Sequence, residues 1–118
     1  MVLFDTSIII DMIRSGEYRY GSISIISLIE ILRGIGGGKR SRVKALFEEV
    51  FNIYTIDNKV VEAYCQLYDK LKGTGRLIPD ADLIIVATAI AYNEKLESHD
   101  EHFIRLEGLG LKISKTKN

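Results

Sequence analysis

Short apolar runs alternate along this chain with stretches of helical periodicity. "MVLF" predicts a strand that stops at Asp5, and "TSIIIDMIR" follows at once as a helix. Gly21 to Ser24 reads as a short strand or a turn. In "SIISLIEILRG" the residues Ile25, Ile26, Leu28, Ile29, Ile31 and Leu32 surround the axis of a helix, which predicts a largely buried helix with Glu30 inside it. "GIGGG" ends that helix, and Ser41 is placed to cap a helix over "RVKALFEEVF". "NIYTI" alternates and reads as a strand. Asp57 caps the next helix, where Val60, Val61, Tyr64, Leu67, Tyr68 and Leu71 fall at helical spacing. "GTGRLIP" is a loop. "DADLIIVATAIAYNE" is a helix apolar on nearly every face, to be buried or held at an interface. "KLESHD" holds a short strand, "EHFIRLEG" a short helix and "LKIS" a last strand. The alternation predicts an α/β domain with a mainly parallel sheet. No repeat or linker divides the chain, so residues 1–118 are expected to form one domain.

Composition adds boundaries. The 118 residues suffice for one real core. Sixteen Lys and Arg balance sixteen Asp and Glu, so any polyanion partner must use a local patch. The single cysteine, Cys65, excludes an internal disulfide, suits a reducing cytosol, and reads as a small core residue. "MVLFDTSIII" has no basic leader before its apolar residues, and its interruption by Asp5 argues against a signal peptide. The longest apolar run, Leu83 to Ala91 with only Thr88 inside, is far short of the ~20 residues that span a bilayer. The expectation is a soluble, cytoplasmic protein with no membrane partner.

A carboxylate in apolar surroundings must find a cation, take up a proton or reach a cleft. Glu30 therefore asks for company. In open parallel sheets, sites form beyond the carboxyl ends of the strands. Asp5 and Asp100 follow predicted strands, and Asp80 and Asp82 begin a buried helix. One end of the sheet can thus collect Asp5, Glu30, Asp82 and Asp100, and such a cluster needs a cation. Hard divalent ions take oxygen ligands, so Mg²⁺ or Mn²⁺ fits, and no Cys/His spacing suggests zinc. Each residue also has a plainer use. Asp5 and Asp100 can cap the helices that follow them, and Glu30 can pair with a basic residue. Asp80, after Pro79, suits an N-cap; Asp82 lies about 200° further round, so the two cannot share one face. His99 and His102 read as polar loop residues.

This order of motifs resembles the PIN-domain family, most closely its small VapC-type toxin ribonucleases. "LFDTSIIIDMI" is similar to the family's opening strand, first aspartate and following Thr or Ser. "SISIISLIEILRG" is similar to its helix with a buried glutamate, "IPDADLIIVATAIA" to the aspartate before an apolar helix, and "LESHDEHFIRL" to the Ser or Thr before an Asp and a Phe. The resemblance covers nearly the whole chain. It implies a three-layer α/β/α fold, a site of Asp5, Glu30, Asp82 and Asp100 with Thr6 and Ser98 in support, metal-dependent endoribonuclease activity, dimerisation and neutralisation by a VapB-type antitoxin. Two departures stand out. Glu97 occupies a position that is usually apolar, where it could replace or supplement Asp100, and little chain separates the first two motifs.

In the mechanism that follows, Asp5 and Asp82 are the main metal ligands, while Glu30 and Asp100 hold waters or a second ion. Phosphate contacts are expected from Arg33, Lys39, Arg40, Arg42 and Lys44, a basic run without acids that is equally readable as a solvated loop. Three rivals remain. A HAD-type phosphatase needs a second aspartate where Ser7 stands. A receiver domain needs an acidic neighbour before Asp5. A PIN scaffold without activity would act only as a binding partner, but then has no use for Glu30 in apolar surroundings.

Overall fold

The structure, a computed structural model, describes residues 1–76 and 78–114. Its five strands form one sheet in the order β3-β2-β1-β4-β5, every neighbouring pair parallel. They are β1 (Val2–Phe4), β2 (Gly21–Ser24), β3 (Phe51–Tyr54), β4 (Lys95–Glu97) and β5 (Lys112–Ser114). The helices are α1 (Thr6–Ser15), α2 (Ile25–Arg33), α3 (Gly37–Val50), α4 (Asn58–Lys72) and α5 (Asp80–Ala91), with a 3₁₀ helix at Glu101–Leu109.

The pleat sorts side chains between two cores. Leu3 and Leu96 face a cluster with Leu67 and Leu71 of α4, Leu83 and Val86 of α5, and Phe103 and Leu106 of the 3₁₀ helix. Phe4 and Ile23 face the other side, against Ile8, Ile9 and Met12 of α1 and Phe47 of α3. This is the three-layer α/β/α arrangement. Helix α2 contacts α1, α3 and α5; its Leu28 and Ile31 join one core and its Ile26 packs on the other. It therefore carries Glu30 to a place both layers reach. Close approach of β1 and β2 requires Gly21: a Cβ there would lie 2.4 Å from Phe4 Cε2 and 2.8 Å from the Val2 carbonyl.

Several expectations need correcting. Helix α3 begins at Gly37, with Gly36 as its cap, so Ser41 lies within the helix. Tertiary ties outweigh the poor propensity of Gly37 and Gly38: Phe47 is fully buried, and the Arg40 guanidinium donates to the Leu32 and Ile35 carbonyls, both at 2.9 Å, at the end of α2. Asp80 is the first residue of α5 rather than its cap, the cap position being Pro79. Cys65 is exposed, because Val60, Leu67 and Leu71 define the inward face of α4 and Cys65 lies off it. Helix α2 is not wrapped on all sides: Ile29 is 53% exposed. Helix α5 is mostly buried, as its composition predicts, and Asp57 does cap α4 through Val60 N–H at 3.1 Å. The loop expected over "GTGRLIP" includes Leu77, which lies outside the described residues, as do 115–118. No helix among the described residues is long and apolar enough to cross a membrane.

Candidate metal centre

The first carboxylate stands where β1 gives way to α1. Asp5 is buried and caps α1, accepting from Ile8 N–H at 3.2 Å and from Ser7 Oγ at 2.6 Å through Oδ1. Its Oδ2 accepts from Ser98 Oγ. Ser98 Oγ also accepts from Asp100 N–H at 2.9 Å, and Asp100 in turn caps the 3₁₀ helix through His102 N–H at 2.9 Å. The turn after β4 is thus tied to the start of α1 by hydroxyls, with a further bond from His99 N–H to Ser7 Oγ at 3.3 Å and an Asp11–His99 contact outside it. Capping and clustering are not alternatives here, because a carboxylate oxygen can accept more than one bond.

Glu30 is half-buried. Thr6 Oγ1 donates to its Oε1 at 2.7 Å and lies 3.0 Å from Ser27 Oγ, so the residue after Asp5 positions the carboxylate of α2. Asp82 occupies the first turn of α5, half-buried, and lines with Asp100 a cleft of about 270 Å³. Burial first, and then the charges of Glu30, Asp100 and Asp5, hold its carboxyl above the usual range. Asp82 thus lies within electrostatic reach of each of the other three predicted acids. Asp80 turns elsewhere: Tyr64 donates to its Oδ1 at 2.6 Å, and that bond is the chief reason the Tyr64 phenol is pushed up to about 12.

The donor set is all oxygen and anionic, which suits a hard divalent cation. Among the described residues no three acidic, imidazole or thiol groups close into a metal-binding cage. Mg²⁺ commonly needs only one or two carboxylates and keeps several waters, so this donor set can suit it. The fit is to a hydrated hard ion, not to zinc.

Glu97 does not extend this cluster. The strand alternation that turns Leu96 toward one core turns Glu97 to the Phe4 side. There the Arg19 guanidinium holds it with two bonds, 2.6 and 3.1 Å, while lying 4.8 Å above the Phe4 ring. The basic run is also partly committed: Arg40 ties α3 to α2, and Lys44 pairs with Glu48 at 3.2 Å. Arg19, Ser7 and Ser27 carried no sequence signal strong enough to assign them. Thr6 and Ser98 did, through their place beside the acids.

A family model for the PIN domain matches residues 2–109. Ribonuclease VapC1 of Methanocaldococcus jannaschii is 41% identical over 116 residues, covering 95% of this chain and 85% of that protein. Among solved structures, VapBC2 from Rickettsia felis bound to a promoter DNA fragment aligns with a TM-score of 0.83 at 21% identity, covering 99% of this chain and all of that one. VapBC-1 from nontypeable Haemophilus influenzae aligns with a TM-score of 0.81 at 23% identity, covering 98% of each. At those identities the structural likeness concerns the fold.

Proposed function

From the premise that this chain belongs to the PIN-domain family, we propose that it is an endoribonuclease dependent on Mg²⁺ or Mn²⁺, the toxin of a VapBC-type pair. The observation that carries the reading is the geometry beyond β1 and β4, where Ser98 ties Asp5 to the Asp100 turn, Thr6 holds Glu30, and Asp82 lines one cleft with Asp100. Four acids at the carboxyl end of a parallel sheet are unfavourable without a cation and useful with one. The identity to a VapC ribonuclease supports RNA as substrate. The likeness to chains of solved VapBC structures supports a VapB-type antitoxin as protein partner. A cytoplasmic site of action suits an RNA target.

Asp5 and Asp82 would hold the ion, and Glu30 and Asp100 would hold waters around it or a second ion. When bound, the ion offsets phosphate charge and makes a neighbouring water more acidic. This chain's residues supply orientation. Ser7, Ser98 and the Ile8 amide fix Asp5, and Thr6 fixes Glu30. No serine or cysteine nucleophile is required. Ser7, which replaces the second aspartate of a HAD-type phosphatase, serves Asp5 instead. Asp57, the acid a receiver domain would phosphorylate, caps α4 and accepts from Tyr92.

The test is cleavage of end-labelled RNA with Mg²⁺ or Mn²⁺, with chelator as control. Wild type is expected to cut only with metal, and Asp5→Asn or Asp82→Asn to abolish cutting while circular dichroism stays native. Asp80→Asn should matter much less. Undiminished cleavage by both site variants would refute the assignment. Co-purified antitoxin is expected to suppress the activity.

A further inference from the structure

The 3₁₀ helix after Asp100 has a three-fold periodicity that divides its work. Side chains three apart eclipse one another in such a helix. Phe103 and Leu106 are buried in the core, and Leu109 packs against it. Glu101, Ile104 and Glu107 form a second, exposed row. The third row, His102, Arg105 and Gly108, lines a groove. Both acids of the helix are thereby kept out of that groove.

The groove continues the acidic cleft. Arg76, Ile78, His102 and Arg105 line both the cleft that holds Asp82 and Asp100 and an adjoining cavity of about 160 Å³. The second cavity has an apolar floor of Leu71, Ile78, Leu106 and Leu109, and its rim adds Lys70. Among the described residues no acid lines it. The guanidinium of Arg105 lies 2.7 Å from His102 Nδ1, a contact that orients it along the rim. The pattern is a carboxylate site flanked on one side by cations above an apolar floor. A nucleic-acid strand presents the complement, with phosphates for the guanidinium groups and a base to lie on the floor or against a guanidinium plane.

We propose that this groove binds the single-stranded RNA next to the scissile bond. Arg76 and Arg105 hold its phosphates, and one base occupies the cavity over Leu71 and Leu106. The inference rests on the nuclease reading but assigns the substrate track to Arg76 and the 3₁₀ helix, not to the basic residues of α3. No residue of that run lines the cleft that holds Asp82 and Asp100, whereas Arg76 and Arg105 do.

The experiment is fluorescence anisotropy of a labelled single-stranded RNA oligonucleotide across a salt series in EDTA, so that binding is read without cleavage. The double variant Arg76→Gln/Arg105→Gln is expected to weaken binding roughly tenfold and to reduce the slope of log affinity against log salt by about 1.4, two phosphate contacts' worth. Arg76→Lys/Arg105→Lys should retain most of that slope, and Lys39→Gln/Arg42→Gln should leave it unchanged. Equal binding by wild type and the Arg76→Gln/Arg105→Gln protein overturns the track while leaving the nuclease reading intact. Arginine-dependent binding by a protein that never cleaves supports the track and refutes the nuclease. No RNA binding by wild type in EDTA overturns the track, while the nuclease reading stands or falls on cleavage with metal. If the double variant keeps RNA but loses binding of poly-L-glutamate, the groove is an acidic-peptide site and the proposal fails.

Discussion

Asp82 and Glu30 show how single residues separate folding from function. The Asp82 carboxyl is held above its usual range by burial and by three like charges, so the folded chain keeps that proton more readily than the unfolded chain. Below the ordinary carboxylate range both states are protonated and Asp82 contributes nothing. As pH rises through the window up to the raised value, the unfolded state ionises first and stability falls. Above it the cost is fully present. Asp82→Asn, which cannot ionise, should therefore melt higher than wild type at neutral pH in EDTA. The advantage should shrink as pH falls through the window, and Mg²⁺ should raise the melting temperature of wild type but not of the variant. Scanning fluorimetry with and without metal measures both. Glu30 gives the complementary case. Glu30→Gln keeps the Thr6 bond geometry and loses the charge, so cleavage should fall roughly 10- to 100-fold while the fold persists. Glu30→Leu should fold on its apolar helix and be inactive. A fully active Glu30→Leu, or a Glu30→Gln that unfolds, would make Glu30 a structural group. Sequence singled out Glu30 because a carboxylate among six apolar residues has few ordinary uses. It left Glu97 ambiguous because a strand's face is set by register, and its partner Arg19 is remote in the chain.

At the scale of elements, that pair fastens the Tyr18–Arg19 segment onto β4. Glu97 has only 6% of its side chain exposed, whereas the Arg19 side chain is 54% exposed. Removing the cation strands a buried carboxylate. A fully buried pair would cost about 3–5 kcal/mol to break, and the exposure of Arg19 reduces the expected loss for Arg19→Met to roughly 2 kcal/mol. Adding Glu97→Leu should recover most of it, and urea unfolding of the two variants checks this. Apart from β2, the strands were legible in the sequence, as were α1, α4 and α5, because hydrophobic period and caps agree there, with Asp5 before α1, Asp57 before α4 and an apolar run in α5 interrupted only by Thr88, whereas Gly21–Ser24 could be read as a strand or a turn. Boundaries failed where tertiary contacts overrode local preference. Gly37 and Gly38 are helical because Phe47 and Arg40 anchor α3, and neither anchor can be read from the glycines. The 3₁₀ geometry of Glu101–Leu109 was also hidden, since a nine-residue stretch shows period 3 and period 3.6 almost alike.

For the whole molecule the open matter is what covers the outside of α4. Helix α5 was expected to be buried or held at an interface, and it is consumed by the core, with Leu83, Ile85, Val86, Ala87 and Ala89 all buried. What remains is a narrower stripe. Val61 is 46% and Tyr68 38% exposed, Cys65 is exposed between them, and Tyr64 stacks on Tyr68 with ring centroids 6.2 Å apart. Positions 61, 65 and 68 follow the i, i+4, i+7 spacing of one helix face. Such a stripe can meet its own copy across a two-fold axis, where each helix presents the same residues to the other. A second copy of this chain is accordingly the occupant to test, in line with the dimerisation that the family resemblance implies. Light scattering at micromolar concentration should give twice the chain mass for wild type. Val61→Glu with Tyr68→Asp, both on the exposed face and outside the core, should give the monomer mass with native circular dichroism. The same variant tells the two interaction surfaces apart: its affinity for single-stranded RNA per chain should be unchanged if substrate lies along Arg76 and Arg105, because neither arginine belongs to the stripe of Val61, Cys65 and Tyr68. A wild type that is monomeric in solution would reject the homodimer and leave the α4 stripe for the antitoxin.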